Sequence, residues 1–126
     1  MILALDFSSE TPIYLQIRNQ ILLAIAEGTL NHGDKLPTIR ALANESGINA
    51  MTVNKAYQLL KQEGIISIDR RSGTKVSLPY DSKAETLAKL TKELKLLLSE
   101  AKVKGISETE MLELFNRISK EMEGTR

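Results

Sequence analysis

A chain of 126 residues is long enough for one compact domain of about 75 to 80 residues with an appendage, and short for two independent cores. Its 42% hydrophobic and 26% charged residues fit an ordinary soluble globular protein, and the absence of cysteine excludes disulfide frameworks, thiolate metal sites and cysteine nucleophiles. The single histidine, His32, leaves little for imidazole-based metal or acid–base chemistry, no apolar run approaches the roughly 18 to 20 residues of a membrane span, and the start MILALDFSSE lacks the basic and long apolar stretches of a secretory signal. The expectation is a cytoplasmic protein that is not an enzyme and holds no metal or cofactor.

The net charge of +1 says little, but its distribution says more. From Lys35 to Lys75 the basic residues Lys35, Arg40, Lys55, Lys61, Arg70, Arg71 and Lys75 outnumber the acidic Glu45, Glu63 and Asp69, a local excess of four.

In chain order, Thr11 as N-cap with Pro12 at the first helical position predicts a helix ending at Gly28. Ile13, Ile17, Ile21, Ala24 and Ile25 form its buried face. Pro37 and Thr38 open a second, short helix with Ile39, Leu42 and Ala43 inward, closed by Ser46-Gly47. Asn49 caps a third that runs to Glu63 and stops at Gly64. Two short helices joined by a tight glycine-containing turn have the helix–turn–helix layout. Ile65, Ile66 and Ile68 then begin a β-type run and Thr74 to Leu78 makes another, with Arg70-Arg71-Ser72-Gly73 as a basic turn. Pro79 and Tyr80 interrupt regular structure, which places a boundary near Leu78 to Asp81 and divides the chain into domains 1–78 and 79–126.

The remainder carries the clearest period. Ser82 with Glu85 fits a capping box, followed by Leu87, Leu90, Leu94, Leu97 and Ala101 at steps of three and four, and Gly105 ends that helix. Ser107 with Glu110 is a second capping box, opening a helix with the stripe Met111, Phe115, Ile118 and Met122. An isolated helical hairpin of this size buries too little to offset the entropy of ordering it, since a fully buried leucine contributes roughly 1.5 to 3 kcal/mol. These nine residues are therefore expected to form a dimerisation surface, with packing on the first domain as the other way to cover them.

On the third helix, Val53, Ala56, Tyr57 and Leu60 fall on one side; Ala50, Met51, Asn54, Lys55, Gln58, Lys61 and Gln62 fall on the other. The second face begins with small or flexible residues and continues through amides and lysines, which suits a major groove. Met51 and Asn54 are the candidates for direct base discrimination. Arg40, Lys55, Arg70, Arg71 and Lys75 are the candidates for phosphate attraction. His32 reads as a loop residue with a structural or neutral role, and the acidic residues from Glu108 to Glu113 as a helix start complementing its dipole.

The run Pro12-Ile13-Tyr14-Leu15-Gln16-Ile17, Gly28, Gly33-Asp34-Lys35-Leu36-Pro37-Thr38-Ile39-Arg40, Leu42-Ala43, Gly47-Ile48-Asn49, Thr52-Val53, Lys55-Ala56-Tyr57 and Glu63-Gly64 closely resembles the winged helix–turn–helix domain of GntR-family transcription regulators. The likeness covers residues 10 to 78, and the last 45 or so residues look like the two-helix dimerisation region of the family's short YtrA-type branch. The resemblance implies a mainly α fold with a small β-hairpin wing, followed by an α-helical hairpin. It also implies that Arg40 contacts DNA at a base or phosphate, that Asn49 to Lys55 begin the recognition helix, and that the wing reaches the minor groove.

Read together, the candidate DNA-binding set is Lys35, Thr38, Arg40, Asn49, Ala50, Met51, Thr52, Asn54, Lys55, Tyr57, Arg70, Arg71, Ser72, Gly73 and Lys75. Two departures stand out in the wing, where the family usually has Gly-x-Gly, an aromatic residue and Val: Arg71 replaces the first glycine and Lys75 the aromatic. A Cβ at position 71 opposes close backbone entry into the minor groove, whereas an arginine there suits a narrow, electronegative one. Thr38 for the more usual serine keeps the hydroxyl.

The expected function is a sequence-specific transcription regulator, a repressor more readily than an activator, binding a pseudo-palindromic double-stranded DNA operator as a homodimer. The alternative is a winged-helix protein-interaction adaptor with little sequence-specific DNA binding. A small-molecule effector of unidentified chemistry, bound at the dimer interface, would add to the first reading rather than replace it.

Overall fold

Pro12 sets where the first helix starts. Its ring holds φ at −55° while ψ, at 147°, is still extended, and its carbonyl accepts from the backbone N–H groups of Leu15 and Gln16 at 3.1 Å each. Helix α1 accordingly runs Ile13–Ala26 with Pro12 as N-cap and no side-chain cap. This corrects the expectation that Thr11 caps the helix. Thr11 lies one residue further out, where its carbonyl accepts from the side-chain amide of Gln16 at 2.8 Å.

A computed structural model of the chain describes residues 1, 3–78 and 83–124, in two compact units, Met1–Pro79 and Tyr80–Arg126. In the first, α2 spans Ile39–Ser46 and α3 spans Ala50–Gln62. Thr38 Oγ1 accepts from the Ala41 N–H at 3.0 Å and Asn49 Oδ1 from the Met51 N–H at 2.7 Å, so α3 begins on the side-chain cap read from the sequence, and α2 is capped by Thr38, one of the two residues read as opening it. Between them Gly47 takes φ 66°, with nothing within 4 Å of where a Cβ would stand. The turn needs glycine for its left-handed backbone and not for space.

The core forms where these helices meet. Ile17 and Ile21 of α1, Leu42 and Ala43 of α2, and Val53, Ala56, Tyr57 and Leu60 of α3 are buried together with Leu36, Ile66 and Val76, and Ile13, Ile25 and Ile39 pack against them. Arg18 of α1 and Glu63 at the end of α3 join at the rim of this core by a bidentate pair, Nε to Oε1 at 2.9 Å and Nη2 to Oε2 at 2.6 Å.

Strands β1, Ile66–Asp69, and β2, Gly73–Val76, pair antiparallel from Ile66 opposite Val76 to Asp69 opposite Gly73. Both differ by a residue or two from the sequence expectation. Ile65 donates to Leu60 O at 2.9 Å in the turn that closes α3 while its carbonyl accepts from the Ser77 N–H at 2.8 Å just past the paired strands, and the turn at the other end is tight enough that Gly73 already pairs. Leu78 lies past the strand and is exposed. The other edge of β2 is also occupied: Lys35 bridges Lys75, Leu36 N–H donates to Thr74 O at 2.8 Å, and Val76 N–H donates to Asp34 O at 2.9 Å. The segment leading into α2 is thus a third strip of the wing.

Residues 3–6 form a strap latched by two glutamines of α1. Ala4 exchanges hydrogen bonds with the Gln20 side chain at 2.9 and 2.6 Å, and Asp6 with that of Gln16 at 2.8 and 2.9 Å. Two extended residues advance ~6.8 Å and one helical turn of four residues ~6.0 Å, so alternate backbone groups of the strap meet successive glutamines on one helix face.

The second unit consists of α4, Lys83–Val103, and α5, Glu108–Gly124. Ser107 and Glu110 form the capping box read from the sequence, Ser107 N–H to Glu110 Oε1 at 3.2 Å and Glu110 N–H to Ser107 Oγ at 3.1 Å. Ser82, the expected cap of α4, lies outside the described residues, as do Pro79 and Tyr80 of the expected boundary. The expected stripes remain mostly uncovered within the chain: Leu94 is 52% and Phe115 68% exposed, while Ala101, Met111 and Met122 are half-buried. Leu96, Leu98 and Val103 are exposed as well, so the apolar surface of α4 is wider than the stripe.

Candidate nucleic-acid interface

The outward face of α3 is built by what its inward face buries. Val53, Ala56, Tyr57 and Leu60 hold the helix against α1 and α2, and Ala50, Met51, Asn54, Lys55, Gln58, Lys61 and Gln62 are left in solvent. Met51, 77% exposed at the first turn, is an apolar side chain held in water, the kind of group that packs on a thymine methyl. Asn54 lies one turn further along and accepts from Gln58 Nε2 at 3.4 Å. Thr52 is half-buried beside this face.

Tyr57 does not belong to that surface, and its expectation as a DNA contact is corrected. Its ring is buried, and its hydroxyl donates to Pro37 O at 2.7 Å, which satisfies the one polar group that a tyrosine brings into a core. Burial alone pushes that hydroxyl above the usual tyrosine range. Tyr57 therefore fixes α3 to the segment that leads into α2.

That segment, the start of α2 and the wing carry the remaining candidates. Lys35 and Arg40 are exposed, Arg40 as the second residue of α2, and Thr38 spends its hydroxyl on the cap. The register sets Lys35 opposite Lys75, two like charges side by side on the wing, an arrangement that costs stability in water and suits a bound anion. At the tip, the Asp69 carboxylate accepts from the Arg71 N–H at 2.7 Å and the Ser72 N–H at 3.4 Å. These two backbone bonds hold its pKa below the usual aspartate range. Arg70 and Arg71 are exposed in the turn itself, Ser72 is half-buried, and Gly73 takes φ 80° with open space around its missing Cβ. Arg71 keeps a negative φ, so the arginine in place of the family's glycine imposes no backbone strain.

Sequence reading missed four features that position the site: the Arg18–Glu63 pair, the glutamine latch, the Lys35–Lys75 bridge, and the ring of Tyr14, 4.1 Å from Lys55 Nζ. The i,i+4 spacing of Gln16 and Gln20 could have signalled the latch. The others join residues far apart in the chain and leave no local trace. His32 lies in the turn expected of it, with Nδ1 3.4 Å from the Leu78 N–H.

A helix–turn–helix with a free polar face, flanked by a cationic two-stranded wing, defines a winged helix–turn–helix DNA-binding transcription regulator. Comparison with known proteins narrows this. Residues 13–76 match the family of bacterial regulatory proteins, gntR family. The HTH-type transcriptional repressor YtrA of Bacillus subtilis (strain 168) is 35% identical over 125 residues, covering 95% of this chain and 94% of that protein. The chain belongs to the GntR family, on its short YtrA-type branch. Among solved structures, a transcriptional antiterminator from Listeria monocytogenes EGD-e superposes with a TM-score of 0.88 at 29% identity, covering 97% of this chain and 92% of that one. The DNA-binding domain of AraR in complex with operator ORX1 superposes with a TM-score of 0.53 at 28% identity, over 60% of this chain and 93% of that one.

Proposed function

We propose that the chain is a repressor that binds a pseudo-palindromic operator as a homodimer in the cytoplasm, with residues 1–78 reading DNA and residues 79–126 joining the two copies. The observation that carries this reading is the solvent-facing side of α3. Met51, Asn54 and Lys55 stand on a helix whose opposite side is fully engaged by the core, next to a wing bearing Lys35, Arg70, Arg71 and Lys75. Met51 and Asn54 discriminate bases; Arg40, Lys55, Arg70, Arg71 and Lys75 supply phosphate contacts; Thr38, Asn49, Ala50, Thr52, Ser72 and Gly73 shape the approach.

The uncovered leucines of α4 and the exposed Phe115 and Ile118 of α5 support self-association, because a two-fold axis buries both helices of both copies at once. Repression is supported by the name of the YtrA relative, and operator binding by the AraR complex. A symmetric dimer requires half-sites with centres ~34 Å apart, one helical turn, or a multiple of it.

Selection of bound sequences from a random duplex pool tests these elements together. The expected product is a palindromic consensus with one fixed half-site spacing. A protein that sediments as a monomer and recovers no preferred sequence, with only weak, salt-labile DNA association, would behave as an interaction adaptor and overturn the reading.

A further inference from the structure

Lys55 lies on the outward face of α3, yet its charged end is engaged by a different helix. Its Nζ stands 4.1 Å from the ring centroid of Tyr14, the second residue of α1. A cation at that distance from an aromatic face is attracted by the ring quadrupole. The ring is a fixed support: Tyr14 precedes Ile17 and Ile21 at helical spacing, is half-buried, and packs against the core that joins α1 to α3.

A free lysine gives up rotamer freedom when it settles on a phosphate, and a ring that already holds the ammonium has removed part of that cost before DNA arrives. An ammonium carries three N–H donors, so a ring on one side leaves donors for an anion on the other.

We propose that Tyr14 is a positioning residue for DNA recognition, its ring holding the Lys55 ammonium in the orientation that meets a phosphate oxygen. The proposal rests on reading the outward face of α3 as the DNA surface. It assigns a role to the flank of α1 rather than to α3 or the wing, and it requires the ring, not the hydroxyl.

The test uses the full-length chain and a duplex recovered from the random pool, titrated at several salt concentrations with Tyr14→Phe, Tyr14→Leu, Lys55→Met and the Tyr14→Leu/Lys55→Met double variant. Lys55→Met is expected to weaken binding and lower the salt slope by about one. Tyr14→Phe should bind as the parent does, and Tyr14→Leu about two- to fivefold more weakly. In the Lys55→Met background Tyr14→Leu should cost nothing further, which a purely structural role would not produce. In the unaltered protein, free of DNA, the ring current should move the Lys55 ε-methylene protons upfield of those of the other lysines.

Equal losses for Tyr14→Phe and Tyr14→Leu would show that the hydroxyl is the contact and overturn the proposal. So would a Tyr14→Leu loss that persists without Lys55, or an ordinary Lys55 shift in the unaltered protein. If Tyr14→Leu does not fold, the Tyr14→Phe titration and the lysine shift decide. A loss for Lys55→Met with none for Tyr14→Leu overturns the proposal alone; no effect of Lys55→Met removes both it and the reading of Lys55 as a DNA contact.

Discussion

Tyr57 shows how one buried side chain can tie two elements together from behind an exposed face. Its hydroxyl reaches from the buried side of α3 to Pro37 O, and Pro37 leads directly into the capped start of α2. Tyr57→Phe keeps the packing and leaves that carbonyl without its donor, so a loss of about 1 kcal/mol in a denaturation midpoint analysis is expected, with DNA affinity of the folded protein little changed. Arg40 is the opposite case, exposed and outside the core cluster. Arg40→Ala should leave the thermal midpoint in place and weaken binding to the selected duplex by roughly 1 to 3 kcal/mol, and unchanged affinity at fixed salt would remove Arg40 from the interface. Lys75 lies opposite Lys35 on the wing. Lys75→Ala should reduce the slope of log affinity against log salt by about one, and an unaltered slope would mean that it points elsewhere.

Among the elements, those whose ends are written in side-chain chemistry were readable from the sequence. Thr38, Asn49 and the Ser107–Glu110 box each state a helix start in three or four adjacent residues, and the structure shows each bond made. Pro12 misled by one position, because proline suits the N-cap as well as the first helical turn and only the carbonyl geometry separates the two. The wing strands were displaced for a related reason: Ile65 reads as β from its side chain, but its N–H is taken by the last turn of α3. The strip at 34–36 that completes the wing was assigned no element from the sequence, since pairing forty residues away leaves no period in three residues. The outward face of α3 followed from a simple 100° step, and that same step places Tyr57 on the packed side, although it stood in the candidate DNA set. The box at the head of α5 carries its own test: Ser107→Ala should destabilise α5 by about 1 kcal/mol, seen as faster amide exchange at Glu110 and its neighbours, and unaltered exchange would mean that the box contributes nothing.

For the whole molecule, the proposal ties two surfaces on separate units to a single binding event. The leucines of α4 and Phe115 of α5 contribute little to the fold of one chain because they stay in water within it. A charge introduced there should spare the monomer and oppose its association, since burying an unpaired carboxylate at an apolar interface is strongly unfavourable. Leu94→Asp combined with Phe115→Asp is therefore expected to give a folded monomer by sedimentation, with α-helical circular dichroism retained. Two linked reading units gain roughly 10² to 10⁴ in avidity over one, so binding to the full palindromic duplex should fall by about that factor. Binding to a duplex holding a single half-site should stay where it was, because α3 and the wing are untouched. Monomers that bind the full palindrome as tightly as the parent would show that the two halves are read independently and that the α4–α5 surface has another occupant. A parallel loss on the half-site would instead place Leu94 or Phe115 in the support of the DNA-binding unit.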